Sequence, residues 1–335
     1  MEYMPEFKNV MVFGEVAGET LSTITAEVLG CGRKLADDLG EELCVVLLGD
    51  QMRGLAQEAI SLGADKAYVV EDPLFKDCHT DSYVAILEKI VNLALPRILI
   101  FGQTVAGRDL APRLAFRLGT AATLDCLELS IDHGSKLLLQ TKPVYGGNAF
   151  ATYTCESYPQ IATVRAKVMS PLEPDDRRRG EIIALEAGLD PSEIRTKIVA
   201  RVPEMTEGMK LEDAKVVISG GRGIGSVDGF RQLEELAQLL NGAVGATRSS
   251  CDNGWAPYAI QIGLTGKIVT PDLYIAIAIS GASQHLTGVA GPKTMVAINR
   301  DAEASIFKEA RFGIVGNWED VLPAFTAKIR ELLSL

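Results

Sequence analysis

Pro271-Asp-Leu-Tyr-Ile-Ala-Ile-Ala-Ile-Ser-Gly-Ala-Ser-Gln-His285 is the stretch whose reading decides the fold. Leu273 to Ile279 is an almost unbroken apolar, β-branched run, the composition of a strand covered on both faces, and it stops at Ser280-Gly281. A helix is expected to begin there. Ser280 suits an N-cap, Gly281 permits close backbone approach, and the first N–H groups of the helix would point out of the strand's carboxyl end. Open α/β sheets bind ligands at that edge. His285, one of three histidines in the chain, falls about one turn into the helix, where its ring could face the same space. Taken alone, the stretch also describes a plain strand-to-helix junction with a surface histidine.

Outward from this core, the N-terminal part alternates strands and helices. Strands are expected at Asn9–Glu15, Leu43–Leu48, Ala67–Val70 and Arg97–Phe101, and helices at Ser22–Leu39, Arg53–Leu62, Asp81–Leu95 and Arg108–Leu118. That order signals a parallel sheet covered by helices. From Leu124 the pattern turns β-rich, with strands at Leu124–Ser130, Leu137–Lys142, Ala149–Thr154 and Gln160–Ala166 that cap or extend the first sheet. Pro171–Gly180 reads as a loop, Lys197–Val202 as a strand and Pro203–Met209 as a linker. The expected organisation is α/β in two domains, residues 1–204 and 205–335, each a mostly parallel sheet flanked by helices.

The second domain opens with a buried strand at Ala214–Ser219, then Gly220-Gly-Arg-Gly-Ile-Gly225, then a helix from Val227 to Leu240. These elements resemble a dinucleotide fingerprint without completing one: after Gly221 and Gly223, the third glycine of G-x-G-x-x-G would fall at Ser226. The glycines still imply close backbone approach to a ligand, and Arg222 sits where a guanidinium could meet a phosphate.

At 335 residues the chain suits two domains, and 47% apolar with 23% charged residues allows sizeable cores. A net charge of −11 argues against nucleic acid, since the basic run Arg177-Arg178-Arg179 follows Glu173, Asp175 and Asp176 and reads as a solvated, self-neutralising linker. The six cysteines, Cys31, Cys44, Cys78, Cys126, Cys155 and Cys251, form no C-x-x-C pair, so neither an iron–sulfur nor a zinc site is expected. His79 and His133 read as solvated, and no metal site is expected. No G-x-S-x-G elbow follows the glycine turn. The opening residues carry no leader pattern and no window is apolar enough to span a bilayer, so the expected location is the cytoplasm of a prokaryote.

Several further segments share one order along the chain: Gly245-Ala-Thr-Arg-Ser-Ser-Cys-Asp252, Gln261-Ile-Gly-Leu-Thr-Gly-Lys267, Val296-Ala-Ile-Asn-Arg-Asp301 and Phe312-Gly-Ile-Val-Gly-Asn317. Together with Ser280–His285 they closely resemble the C-terminal flavin-binding domain of the electron transfer flavoprotein alpha subunit. The likeness is specific over this part and weaker over the N-terminal part. It implies a Rossmann-like FAD-binding domain at residues 205–335 and an N-terminal domain that packs against a beta subunit.

The resemblance also implies roles. The glycine-rich turns, with Ser280, Gly281, Ala282, Ser283 and Gln284, would hold the phosphates and the dinucleotide. Thr247 and Arg248 fall in the family's S/T-R-x-x-x-D motif, closed by Asp252, and put a cation over or beside the ring. Gln261, Ile262, Gly263, Leu264 and Thr265 match the turn that reaches the flavin N5 and O4 edge, with Thr265 as the N5 contact. Leu264 departs from a frequent glutamine, so one polar contact is missing or made by backbone. His285 is carried over as a donor to the pyrimidine edge, where negative charge develops on reduction. Asn299 would contact the adenosine half, and Asn317 stands where aspartate is frequent. Trp255 and Trp318 flank these loops, as cofactor contacts or as core or interface aromatics.

A heterodimeric electron carrier is the expectation, with a beta subunit and an acyl-CoA dehydrogenase or another flavoprotein or iron–sulfur oxidoreductase as partners. Enzymatic activity would exist only within such a complex. Asp252-Asn-Gly-Trp255 and Leu264 lean towards the family branch that bifurcates electrons from NADH. A free-standing NAD(P)-dependent oxidoreductase and a cofactor-free nucleotide-binding regulatory module are the alternatives.

Overall fold

A computed structural model of the chain describes residues 6–75, 79–147, 149–189, 194, 199, 209–289 and 291–333. Two compact units divide between Arg201 and Val202. The strand expected at Lys197–Val202 and the linker at Pro203–Met209 lie, but for Val199 and Met209, outside the described residues.

The first unit runs β1 (Val10–Gly14), a short ribbon of β2 (Val16–Ala17) and β3 (Thr20–Leu21), α1 (Thr23–Leu39), β4 (Leu43–Gly49), α2 (Arg53–Ser61), β5 (Lys66–Glu71), α3 (Thr80–Ala94), β6 (Ile98–Gly102) and α4 (Val105–Arg117). It continues through β7 (Ala122–Cys126), β8 (Glu128–Ile131), β9 (Leu138–Val144), β10 (Ala149–Tyr153), β11 (Gln160–Val164) and β12 (Glu181–Leu185). Seven strands form one parallel sheet in the order β12-β5-β4-β1-β6-β11-β7, and β10-β9-β8 form an antiparallel one. β1, β4 and β6 are buried throughout, as their Val/Ile/Leu runs require with helices on both faces. Alternation along β1 sends Val10 and Val12 into a core with Ile24, Val28 and Leu35 of α1, and Met11 and Phe13 into another with Ile90 of α3 and Leu110 of α4.

Local chemistry sets the helix ends. Ser22 caps α1 by accepting from Thr25 N, and Gly40, at φ 68°, ends it. α4 begins at Val105, ahead of the expected Arg108, because Thr104 Oγ1 accepts from Gly107 N at 3.0 Å.

Three features differ from expectation. The strand expected over Leu124–Ser130 is two strands in two sheets, parted at Leu127, and within β7 the left-handed Asp125, at φ 66°, kinks the chain where the pairing with β11 shifts register. Arg165 holds that kink with bonds of 2.8 Å to Oδ1 and 2.6 Å to Oδ2. β12, which the sequence did not announce, pairs with β5 at the sheet edge. The run Arg177–Arg179 is no purely solvated linker: Arg177 pairs with Asp175 as expected, but Arg178 reaches Asp65 Oδ1 at 2.7 Å, beside Arg33 at 2.6 Å and Leu43 N at 2.9 Å on the same carboxylate.

The second unit is β13 (Val216–Gly220), α5 (Val227–Leu239), β14 (Ala243–Ala246), α6 (Arg248–Asp252), β15 (Leu273–Ile277), α7 (Ser283–Leu286), β16 (Thr294–Asn299), α8 (Ile306–Glu309), β17 (Phe312–Val315) and α9 (Trp318–Leu333). Its sheet is parallel in the order β14-β13-β15-β16-β17. After β13 the chain builds to one side, then returns to the other, so β13 and β15 flank a topological switch point. Among the described residues no helix is long and apolar enough to cross a membrane.

Removing Arg165 leaves a half-buried carboxylate at a strained residue. Arg165→Ala is expected to lower the stability of the first unit by about 3 kcal/mol in urea unfolding.

Candidate functional site

The switch point opens into a cavity of about 770 Å³ at the carboxyl ends of β13, β14, β15 and β16. Its walls come from separate chain segments. Gly221 to Gly223 follow β13, Thr247 to Ser249 follow β14, Ala278 to Ser280 follow β15, and Asn299 ends β16 with Arg300 and Asp301 after it. The turn Gln261–Thr265 closes one side. A second hollow of about 370 Å³ shares Gly223, Ala278, Asn299 and Arg300 with the first and adds Asn317 and Trp318.

Gly221 makes this closeness possible. Its N–H donates to Ile277 O at 2.9 Å, and a Cβ there would lie 2.1 Å from the Ala278 carbonyl oxygen. After β15, Ala278 at φ 54° and Gly281 at φ 85° turn the backbone away. The helix expected from Ser280 is therefore displaced: Ser280 is exposed and caps nothing, and α7 is a single turn starting at Ser283. Gly281 packs on the start of α8, where a Cβ would meet Ile306 N at 2.3 Å.

Arg222, Thr247, Arg248, Gln261, Ile262, Gly263, Leu264, Thr265, Ser280, Ala282, Gln284, His285 and Asn299 line the main cavity. Asn317 and Trp318 line the second, and Gly281 and Ser283 line neither. Arg300, Asp301, Ala304, Ala278 and Ile279 also line the main cavity and were not singled out from the sequence. Arg300 lies one residue past the end of β16, so the strand-end rule that found Ser280 would have found it.

The side chains divide into those with free capacity and those already committed. Asp252 lies 3.6 Å from Arg248 Nε and accepts from Tyr258 at 2.8 Å, which steadies Arg248 at the rim. Gln261 Nε2 donates to Thr265 Oγ1 at 3.0 Å, leaving the Thr265 proton to donate into the cavity. Leu264 N is spent on Gln284 O at 2.7 Å, so that N–H does not replace the amide contact a glutamine would make. Asn299 bridges Ile279 O and Asp301 N at 2.8 and 3.0 Å, tying two cavity-lining segments together. Trp318 is buried and gives its indole N–H to Gly223 O at 3.0 Å, a core aromatic with one edge on the hollow.

His285 is buried on the cavity wall. The ring is 6% exposed, with Nδ1 3.1 Å from Ile262 O and Nε2 2.8 Å from the Tyr274 hydroxyl. Both ring nitrogens have partners within the chain, and His285 also lines the cavity.

The donor set fits a flavin dinucleotide. Arg222 and Arg300 are exposed on the main cavity and, among the described residues, neither has a carboxylate partner. Two unneutralised guanidiniums in a chain of net charge −11 make a place for a diphosphate. Hydroxyls and the Gln261–Thr265 turn supply the hydrogen-bonding edge that a fused-ring system needs. Among the described residues no three His, Cys, Asp or Glu converge as metal ligands.

Fold and cavity thus define a doubly wound domain with a dinucleotide-sized trough at its switch point. Comparison with known proteins agrees. Residues 10–190 match the family model described as electron transfer flavoprotein domain, and residues 210–290 the one described as electron transfer flavoprotein FAD-binding domain. The electron transfer flavoprotein subunit alpha of Thermoanaerobacterium thermosaccharolyticum is 44% identical over 98% of this chain and 100% of its own length. That of Bacillus subtilis is 41% identical over 97% of this chain and 98% of its own. Protein FixB of Azorhizobium caulinodans is 41% identical over 99% of this chain and 91% of its own. The chain belongs to the electron transfer flavoprotein family, as an alpha subunit, which implies a heterodimer with a beta subunit.

Burial pushes the His285 pKa down to about 4, against the upward pull of the Ile262 carbonyl. An unfolded histidine binds its proton near 6.5 and the folded one only near 4, so its contribution to stability is complete above pH 6.5 and drains as pH falls towards 4. In urea unfolding across that window, wild type is expected to lose stability faster than His285→Gln, by up to about 1.4 kcal/mol per pH unit.

Proposed function

We propose that the second unit binds FAD along the joined hollows and that the chain carries electrons, within a heterodimer, between a donor and a redox partner. The observation that carries this reading is the pair of unneutralised guanidiniums, Arg222 and Arg300, on a cavity at the switch point of a parallel sheet. When bound, FAD would supply the one- and two-electron chemistry. The chain's own residues orient it and set its surroundings.

Arg222 and Arg300 take the diphosphate, helped by backbone N–H groups around Gly221 to Gly223. Thr265 donates to the ring edge, with Gln261 fixing its hydroxyl. Arg248, steadied by Asp252, stands as the cation beside the ring that favours added electron density. Asn299, Ser280, Ala282 and Gln284 shape the wall, and Asn317 offers an amide in the second hollow, where Trp318 closes the floor.

The proposed location is the cytoplasm, and the proposed redox partners are an acyl-CoA dehydrogenase or another flavoprotein or iron–sulfur oxidoreductase. A second reading within the family is bifurcation of electrons from NADH with a second flavin on the beta subunit. Asp252-Asn-Gly-Trp255 and the apolar Leu264 favour it, the latter placing an alkyl side chain, 60% exposed, on the cavity wall.

Co-expression with a beta subunit is expected to yield a yellow heterodimer, and a colourless one would sink the reading. Arg222→Ala and Arg300→Ala are each expected to weaken FAD binding by about 10- to 100-fold in fluorescence titration. Bleaching of the flavin by NADH tests bifurcation.

A further inference from the structure

Tyr258 stands just ahead of the Gln261–Thr265 turn, 63% exposed and set back from the cavity lining. Its backbone is fixed all the same. Tyr258 O accepts from Gln261 N at 3.0 Å, and Pro257 O, one residue earlier, accepts from the Cys251 thiol at 3.5 Å. From this anchored turn the phenol reaches across to α6, where its hydroxyl donates to Asp252 Oδ1 at 2.8 Å.

Asp252 is the last residue of α6, an end that offers carbonyl oxygens and no N–H groups, so its carboxylate depends on side-chain donors. Two stand near it. Tyr258 makes a hydrogen bond, whereas Arg248, one turn back, brings Nε only to 3.6 Å from Oδ2, close enough for charge attraction but too far for a hydrogen bond. A two-pronged arginine–carboxylate grip needs both oxygens turned to the guanidinium, and the phenol keeps Oδ1 turned to itself.

The distinction matters because Arg248 and Asp252 both line the cavity. A guanidinium locked onto a carboxylate presents its surroundings with a neutral pair. One that is attracted without being bonded keeps N–H donors and positive charge for whatever enters.

We propose that Tyr258 is a positioning residue of the site: its hydroxyl holds Asp252 short of a hydrogen-bonded pair with Arg248, so that the guanidinium meets the bound flavin with its donors and its charge. This deepens, and rests on, the reading of the cavity as a flavin site with Arg248 beside the ring. Reduction adds negative charge to the ring, so the reduced form gains more from that cation than the oxidised form does. Tyr258 thereby raises the flavin potential through Asp252 and Arg248, with no contact of its own.

The test is potentiometry of the flavin held by the full-length chain in complex with a beta subunit, for wild type, Tyr258→Phe, Asp252→Asn and the double variant. Tyr258→Phe lets the carboxylate close on Arg248, and the preference of the site for reduced over oxidised flavin is expected to fall about 2- to 5-fold, the range for one exposed charge contact. Asp252→Asn removes the ion pair, so the double variant is expected to keep the potential of Asp252→Asn alone. An unchanged or raised potential in Tyr258→Phe overturns the proposal, as does an equal fall on the Asp252→Asn background.

A second measurement needs no flavin. Alkaline titration of wild type, read as the difference from Tyr258→Phe, isolates one phenol among the eight tyrosines. The bond to Asp252 holds that phenol above its ordinary pKa, and Asp252→Asn is expected to bring it down. A phenol indifferent to Asp252→Asn overturns the proposal. FAD uptake by wild type keeps the two ideas apart: no flavin sinks the flavin site while the titration still decides the Tyr258–Asp252 bond, and bound flavin with a potential indifferent to Tyr258→Phe sinks only the role of Tyr258.

Discussion

The site depends on one steric constraint, the close passage of the chain leaving β13 against the chain leaving β15. Gly221 has no Cβ, and the Ala278 carbonyl occupies the space where one would stand. With two parallel strands ending side by side, the segments that leave them both line the cavity. The left-handed residues Ala278 and Gly281 are the counterpart of that closeness, because the chain can clear the neighbouring turn only by bending sharply. Each later element then contributes a wall.

Much of this was legible in residue order. Apolar runs located β1, β4, β6, β13 and β15 because strands buried on both faces have no choice of composition. Most residues singled out for the site do line one of the two hollows, since strand ends in a parallel sheet share one edge. What escaped had physical causes. β12 has largely exposed side chains, so no apolar pattern announced it. The kink at Asp125 rests on a carboxylate–guanidinium pair forty positions apart in the chain, which no local window contains. The start of α7 moved because Ser280 resembles a cap in sequence, while its backbone is committed to the turn at Gly281.

His285 is the instructive case. Its position on the cavity wall follows from counting along the chain, but its chemistry does not, because its two partners come from Tyr274 and from a backbone carbonyl. Burial and two hydrogen bonds tie it to the surrounding chain, while the guanidiniums of Arg222 and Arg300 face solvent.

The carboxylate of Asp65 gathers three donors near the edge of the first unit's sheet. Burial raises its pKa, but the Leu43 N–H and the guanidiniums of Arg33 and Arg178 outweigh that and hold it below the usual range. Through Arg178 it fastens the segment that leads into β12, a strand with little apolar surface to anchor it. That margin of the sheet is clamped by ions where the interior is held by oil-like contact. Concentrated salt or strong acid would loosen it before the rest, making it the place where amide protons exchange first and where the domain starts to fray.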